Sequence, residues 1–233
     1  MLDETPRDKK NEVDMRLYYF TTERFGLEAI RDGRLKLARI NELNDPFEFL
    51  SLALSREDRR ILRGFKQTMA DQYGLICLSR DWQHPLLWGH YADKHRGVAL
   101  GFDVNEDSGF MPVEYLPERL TLRQFGLNAL SEFTEEKMMK LLTMKFVAWS
   151  YEAEYRAFCR LKKKDPVSDL YFIDFHTSFR LSEVIVGERS PITRSRLDNV
   201  LGYRKRKVKS FKARAAFKKF VVVENKLKRA WRD

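Results

Sequence analysis

Residues 73–102 read YGLICLSRDWQHPLLWGHYADKHRGVALGF, and the apolar pattern changes character twice along them. Tyr73 to Ser79 is a nearly unbroken apolar run of strand length, as a buried strand requires. Pro85 suits the first turn of a helix that ends near Gly97, because that turn does not need the missing N–H. Val98, Leu100 and Phe102 then alternate, which returns the period to that of a strand. Toward the amino terminus, residues 56–72 read as a charged helix and Asn44-Asp45-Pro46 as a turn. Leu35 to Ile40 alternates as a half-buried strand, and Arg24 to Asp32 is a helix stopped by Gly33. Arg16 to Thr21 is the opening strand. Toward the carboxyl terminus, a long helix covers Leu120 to Met144 and strands follow near 149–160, 168–175 and 181–187. A helix begins at Pro191, and a late strand lies near Phe220 to Val223. Short strands between helices of unequal length predict an α+β fold with a mixed or split sheet flanked by helices.

The length of 233 residues suffices for one sizeable core. No Gly/Ser linker or repeat divides it, so residues 1–202 are read as a single domain. No apolar run reaches about 18 residues, which excludes a spanning helix and predicts no membrane partner. The amino-terminal MLDETPRDKKNEVDM lacks the apolar core of a secretory signal. Two cysteines far apart, Cys77 and Cys159, fit a reducing cytoplasm. The net charge of +10 is local: residues 203–233 carry 13 Lys or Arg and 2 acids. The body is therefore close to neutral. This basic carboxyl-terminal segment packs on or extends the domain, and it is either a solvated face or a contact for nucleic acid or an acidic partner.

Two segments carry chemistry. At 100° per residue, Leu87, Trp88, Tyr91, Ala92 and His95 share a helix face, the stripe of a packed helix. His90 lies off that stripe and is either a surface histidine or a proton carrier. Three histidines between 84 and 95 match no zinc spacing, so no metal is expected. In Trp149-Ser-Tyr-Glu-Ala-Glu-Tyr-Arg156 the period is two, with Ser150, Glu152, Glu154 and Arg156 on one side. Paired carboxylates beside an arginine suit general-base work or stabilisation of a developing cation. The alternatives are the solvated face of an edge strand, or a helical Glu152–Arg156 pair. No Walker loop, GxGxxG, GxSxG or HExxH is present.

Leu17-Tyr-Tyr-Phe-Thr-Thr22, Asn44-Asp-Pro-Phe-Glu48, Cys77-Leu-Ser79, Leu87-Trp-Gly-His-Tyr-Ala-Asp93, Lys145, Trp149 to Arg156 and Leu181 to Gly187 occur in an order that resembles the bacterial domain-of-unknown-function family 2971. Its opening strand and glutamate-bearing strand in turn resemble those of ADP-ribosyltransferases of the DarT-like kind. That resemblance implies an ADP-ribosyltransferase-like fold and an NAD-dependent ADP-ribosyltransferase or NAD glycohydrolase, a toxin or phage-defence effector with NAD as substrate. It implies Glu154, within Glu152-Ala-Glu154, as the catalytic glutamate, with Glu152 and His90 assisting. Tyr19, where many relatives carry His or Lys, and Ser79 would then contact NAD. Thr21, Asn44 and Tyr91 are expected beside them, and Arg39 and Arg156 are candidates for the pyrophosphate. The competing expectation is a non-catalytic nucleic-acid-binding or defence-associated module using residues 203–233.

Overall fold

The computed structural model describes residues 15–105, 108–176 and 178–231. The polar amino-terminal stretch, residues 1–14, lies outside the described residues. The chain opens with strand β1 (Met15–Thr21) and helix α1 (Glu23–Asp32). Thr22 caps α1 by accepting from the Phe25 N–H, and Gly33 ends it in the left-handed conformation at φ 69°. Helix α2 (Arg56–Gln72) begins on Ser55, which accepts from the Asp58 N–H, and leads directly into β4 (Tyr73–Ser79). Helix α3 (Pro85–Tyr91) then precedes β5 (Val98–Val104). The strand–helix–strand reading of 73–102 therefore holds, as do the opening strand and the first two helices.

Four expectations are corrected. The helix expected to reach Gly97 stops at Tyr91, because Asp93, Lys94 and His95 all take positive φ. Their backbone is engaged elsewhere: His95 and Gly97 carbonyls accept from Arg189 and Gly187. The single strand at 35–40 is two pieces, β2 (Arg34–Lys36) and β3 (Ala38–Arg39), which pair with different neighbours. The long helix expected at 120–144 shrinks to α4 (Glu135–Leu142). Gly126 at φ 85° breaks the earlier part, and Phe125, Leu127, Leu130 and Phe133 reach the core from turns instead. The strand expected from 149 begins only at Glu154. Residues Val147–Glu152 form a 3₁₀ helix that ends at Ala153 with φ 42°.

Strands β6 (Met111–Pro112), β7 (Glu114–Leu116), β8 (Met144–Phe146), β9 (Glu154–Arg160), β10 (Phe172–Asp174), β11 (Phe179–Val186), β12 (Lys209–Ala215) and β13 (Val222–Glu224), with helix α5 (Arg194–Leu201), complete the molecule. The main sheet runs β13-β12-β11-β5-β1-β4-β9-β6, with β3 added on β4. Its ladders are antiparallel except the parallel pairing of β12 on β11, so the fold is α+β with a mixed sheet. Among the described residues no helix is long and apolar enough to cross a membrane. One core lies under α1 and α5, built on Leu17, Leu100, Phe102 and Val184, and Phe102 stacks on Phe179 at 4.2 Å. A second joins α2 and α4 to β4, and a third packs Trp88 against Tyr18, Ile185 and Phe211 on the opposite sheet face.

β1 pairs with β5 along its whole length, but with β4 only at Tyr18↔Ser79. That sparse pairing is where the sheet splits. Two glycines test the close approaches around it. A Cβ on Gly97 would sit 2.0 Å from the Thr21 carbonyl oxygen, which backbone cannot yield. A Cβ on Gly89, inside α3, would meet nothing within 4 Å. Urea unfolding should therefore show Gly97→Ala destabilised by about 3 kcal/mol. Gly89→Ala should be stabilised by roughly 0.5–1 kcal/mol, through better helix propensity.

Candidate functional site

The register of β4 against β9 builds the site. Ser79 faces Glu154 and Cys77 faces Arg156, so these four side chains share one face of the sheet. Where β1 parts from β4 a cavity of about 300 Å³ opens, lined from β1 by Tyr18, Tyr19 and Phe20 and from β4 by Leu75 to Ser79. Tyr91 of α3, Asn44 and Glu48 of the loop after β3, Lys145 of β8, Glu152, Glu154 and Arg156 close it.

Its polar wall is one ion network. Arg156 is 1 % exposed. Its Nη1 and Nη2 donate to the two Glu48 oxygens at 2.9 and 2.6 Å. Its Nε and Nη2 donate to Glu154 at 2.8 and 3.0 Å, and Nη1 also donates to the Leu142 carbonyl at 2.5 Å. Such forked donation is the geometry for which arginine is suited. Lys145 Nζ donates to Glu152 Oε2 at 2.5 Å and Glu154 Oε2 at 3.1 Å, and lies 3.8 Å from Glu48. The Tyr91 hydroxyl donates to Glu152 and accepts from Asn44 Nδ2 at 2.9 Å. Ser79 Oγ donates to the Glu152 carbonyl at 2.5 Å, and the Glu154 N–H donates to the Tyr115 hydroxyl at 2.8 Å. Three carboxylates against two cations leave the wall one negative charge in excess.

The environment separates the two glutamates that sequence spacing treats alike. Burial raises the Glu154 carboxyl, but Arg156 and then Lys145 outweigh it and hold the group at about 2. Burial also raises Glu152, and there Lys145 and Tyr91 do not fully compensate. Burial lowers Lys145, yet Glu154 and Glu152 together push it above its usual value. Desolvation, then the Glu152 acceptor, push the Tyr91 phenol up, so it remains a donor. Burial and the nearby Glu154 likewise keep the Cys77 thiol protonated.

Of the residues singled out in the sequence, Tyr19, Asn44, Ser79, Tyr91, Glu152, Glu154 and Arg156 line this cavity. Three do not. His90 is exposed, 6.2 Å from the Tyr151 ring and outside the cavity, so the helix offers Tyr91 to the site instead. Thr21 is buried at the end of β1 and is not part of the lining. Arg39 turns away, donating from Nη2 to the Ala70 carbonyl at 2.6 Å with its guanidinium over Tyr171. Arg156 lines the cavity, but Glu48, Glu154 and Leu142 already engage its donors. Neither arginine is presented to a pyrophosphate. Sequence reasoning did not select Glu48 or Lys145. Lys145 carries a signal in hindsight, as the lone charge in Leu-Leu-Thr-Met-Lys-Phe-Val-Ala-Trp (141–149). Among the described residues no group of three or more His, Cys, Asp or Glu is placed to hold a metal ion.

Much of the basic segment is used inside the fold. Arg204 donates to the Ile30 carbonyl and Lys212 to the Ser190 carbonyl. Lys205 pairs with Asp198 at 2.5 Å and Lys209 with Glu183 at 3.4 Å.

Replacing Arg156 by Met strands two buried carboxylates and should lower unfolding free energy by about 3–5 kcal/mol. For pH, a carboxyl held below its usual 4.5, at about 2, stabilises the fold above pH 4.5 and loses that contribution as pH falls toward 2. The stability gap between wild type and Glu154→Gln, followed by thermal melting, should accordingly narrow over that window.

Residues 87–157 match the family model described as "Protein of unknown function (DUF2971)". The matched stretch runs from α3 into β9 and holds Tyr91, Lys145, Glu152, Glu154 and Arg156, while β1, Asn44 and Glu48 lie before it. No curated protein and no solved structure matches the chain. The family match thus covers the α3 and β9 sides of the cavity, and it supports for residues 87–157 the domain-of-unknown-function family expected from the sequence.

Proposed function

We propose that the cavity between β1, β4, β9 and α3 is an active site for cleavage of the nicotinamide–ribose bond of NAD, making the chain an ADP-ribosyltransferase or NAD glycohydrolase. One observation carries the reading: adjacent strands β1, β4 and β9, with the 3₁₀ helix leading into β9, bring Tyr19, Ser79 and the Glu152/Glu154 pair to a single cavity with one carboxylate in excess. An ADP-ribosyltransferase-like arrangement calls for a first-strand residue, a central-strand residue and a late glutamate around one pocket. A site with surplus negative charge favours a positive charge that develops during reaction.

In this mechanism the C1′–N bond of the nicotinamide ribose breaks and its electron pair leaves with neutral nicotinamide. The ribosyl centre becomes oxocarbenium-like, as in glycoside hydrolysis. Glu152 is the carboxylate that faces it. Its other partners are a displaceable phenol and a shared lysine, whereas Glu154 is clamped by both cations. Water or an acceptor hydroxyl then forms the new C1′–O bond and gives up its proton to Glu152. Tyr91 and Asn44 are placed to exchange their mutual hydrogen bond for ribose hydroxyls. Tyr19, half-buried with its phenol pushed up by desolvation, supplies an aromatic wall for the nicotinamide. The cavity volume suits the nicotinamide–ribose half, so the adenylate half would extend past Lys36 at its edge. Two free cysteines fit the reducing cytoplasm, where NAD consumption would serve a toxin or phage-defence effector.

The test is nicotinamide release from NAD by the purified chain. Glu152→Gln should reduce kcat/KM by roughly 10²- to 10³-fold with little change in melting temperature. Glu154→Gln should lower melting temperature as well as rate. Wild type that releases no nicotinamide, with or without protein and nucleic-acid acceptors, overturns the reading.

A further inference from the structure

Three cations of the basic segment, Arg214, Lys218 and Lys219, lie on or beside one hairpin turn. Residues 216–221, joining β12 to β13, form a turn closed by the Ala216 N–H donating to the Val221 carbonyl at 2.9 Å. Phe217 and Phe220 on this turn are 90 % and 97 % exposed, and Lys218 and Lys219 between them are exposed as well. The Arg214 guanidinium lies 4.4 Å from the Phe217 ring centroid. Among the described residues no acid forms an ion pair with Arg214, Lys218 or Lys219. Glu188 and Glu224, at the base of the hairpin, are engaged by the Ala215 N–H and by Lys209.

The base is firmly anchored. Phe211, Ala213 and Val222 belong to the core around Trp88. The Val222 N–H donates to the Gln83 carbonyl at 2.7 Å, and Gln83 Nε2 returns a bond to the Val222 carbonyl. A rigid stem therefore holds two large apolar rings and two lysines out in solvent, with the half-buried Arg214 beside them. Exposing both rings forgoes apolar burial that a partner can recover.

We propose that this tip docks the protein onto an anionic lipid surface. Single-stranded nucleic acid also combines stacking with phosphate contacts, but it is held in a groove that tracks its backbone. Rings 90 % and 97 % exposed have little protein beside them to form such a groove. A bilayer surface is flat and accepts a projecting turn. The phenyl rings enter the boundary of the acyl chains, while Lys218, Lys219 and Arg214 stay among the headgroups. Each cation near an anionic leaflet adds an attraction that salt screens. The sequence expectation of no membrane partner rests on the lack of a spanning segment, which a surface contact does not need. The contact does not depend on the reaction assigned to the cavity.

The test is co-sedimentation of the full chain with phosphatidylcholine vesicles, with and without phosphatidylserine. Binding is expected only with phosphatidylserine and should weaken as salt rises. Phe217→Ser with Phe220→Ser should weaken it about tenfold. Lys218→Gln with Lys219→Gln should weaken it roughly fivefold per lysine. Because the altered side chains are solvated, every variant should keep the wild-type melting temperature and nicotinamide-release rate. The proposal falls if neither vesicle binds, if phosphatidylserine makes no difference, or if both double variants bind as wild type does. It also falls if the tip variants lose oligonucleotide binding or self-association while vesicle binding is absent.

Discussion

The buried guanidinium of Arg156 is the constraint that the rest of the site answers. A guanidinium taken out of water is tolerated only when its donors are matched and its charge is offset. Glu48 and Glu154 do both, and the Leu142 carbonyl takes a further donor. Two carboxylates against one cation overshoot, and Lys145 enters to correct the imbalance. Lys145 in turn holds Glu152, whose remaining oxygen is met by Tyr91 and, through it, by Asn44. Each group thus sets the condition for the next. The chain of contacts runs from a closed interior at Arg156 to an exposed amide at Asn44. The interior end can only be structural, and the outer end is where polar groups are free to change partners.

This network also explains why the sheet parts where it does. β9 presents Glu154 and Arg156 on the face that β4 shares through Ser79 and Cys77, and polar groups there cannot be sealed by apolar packing. Pairing β1 with β4 along its length would close the cavity that Tyr19 now lines. One paired position, Tyr18↔Ser79, keeps the sheet continuous while the strands diverge beyond it. The split therefore follows from placing charge beside a sheet edge, and the surrounding cores hold it open.

Much of the fold was legible because local rules and tertiary packing agreed. Gly33 as a left-handed stop, Pro85 as a first helical residue and the apolar run at 73–79 each have one low-energy reading. The misreadings came where they disagreed. Trp149, Tyr151 and Ala153 alternate as a strand would, yet Ala153 in the left-handed region turns Glu152 back toward Lys145, which no periodicity records. β12 was hidden in a run of lysines and arginines, although Phe211, Lys212 and Ala213 are buried in it. Of the site, Glu152, Glu154 and Arg156 were readable from type and spacing, and Ser79 only from the family resemblance. Glu48 was not: it closes the Asn44–Glu48 element of the family resemblance, but its partner Arg156 lies 108 positions away and periodicity gives it no role. Nor was the choice between His90 and Tyr91, since it turns on where α3 ends.

The parallel ladder of β12 on β11 has a consequence for how the chain is made. Residues 209–215 follow β11 only after α5, so they emerge later in synthesis than the strand they cover. Until they emerge, β11 has one bare edge of backbone donors and acceptors, of the kind that recruits stray strands. Once the basic segment emerges, it closes that edge with its own backbone, and its cations repel the same segment of neighbouring copies while the pairing forms. The stretch that looks like an interaction surface in the finished protein is thus also the cover of a strand edge.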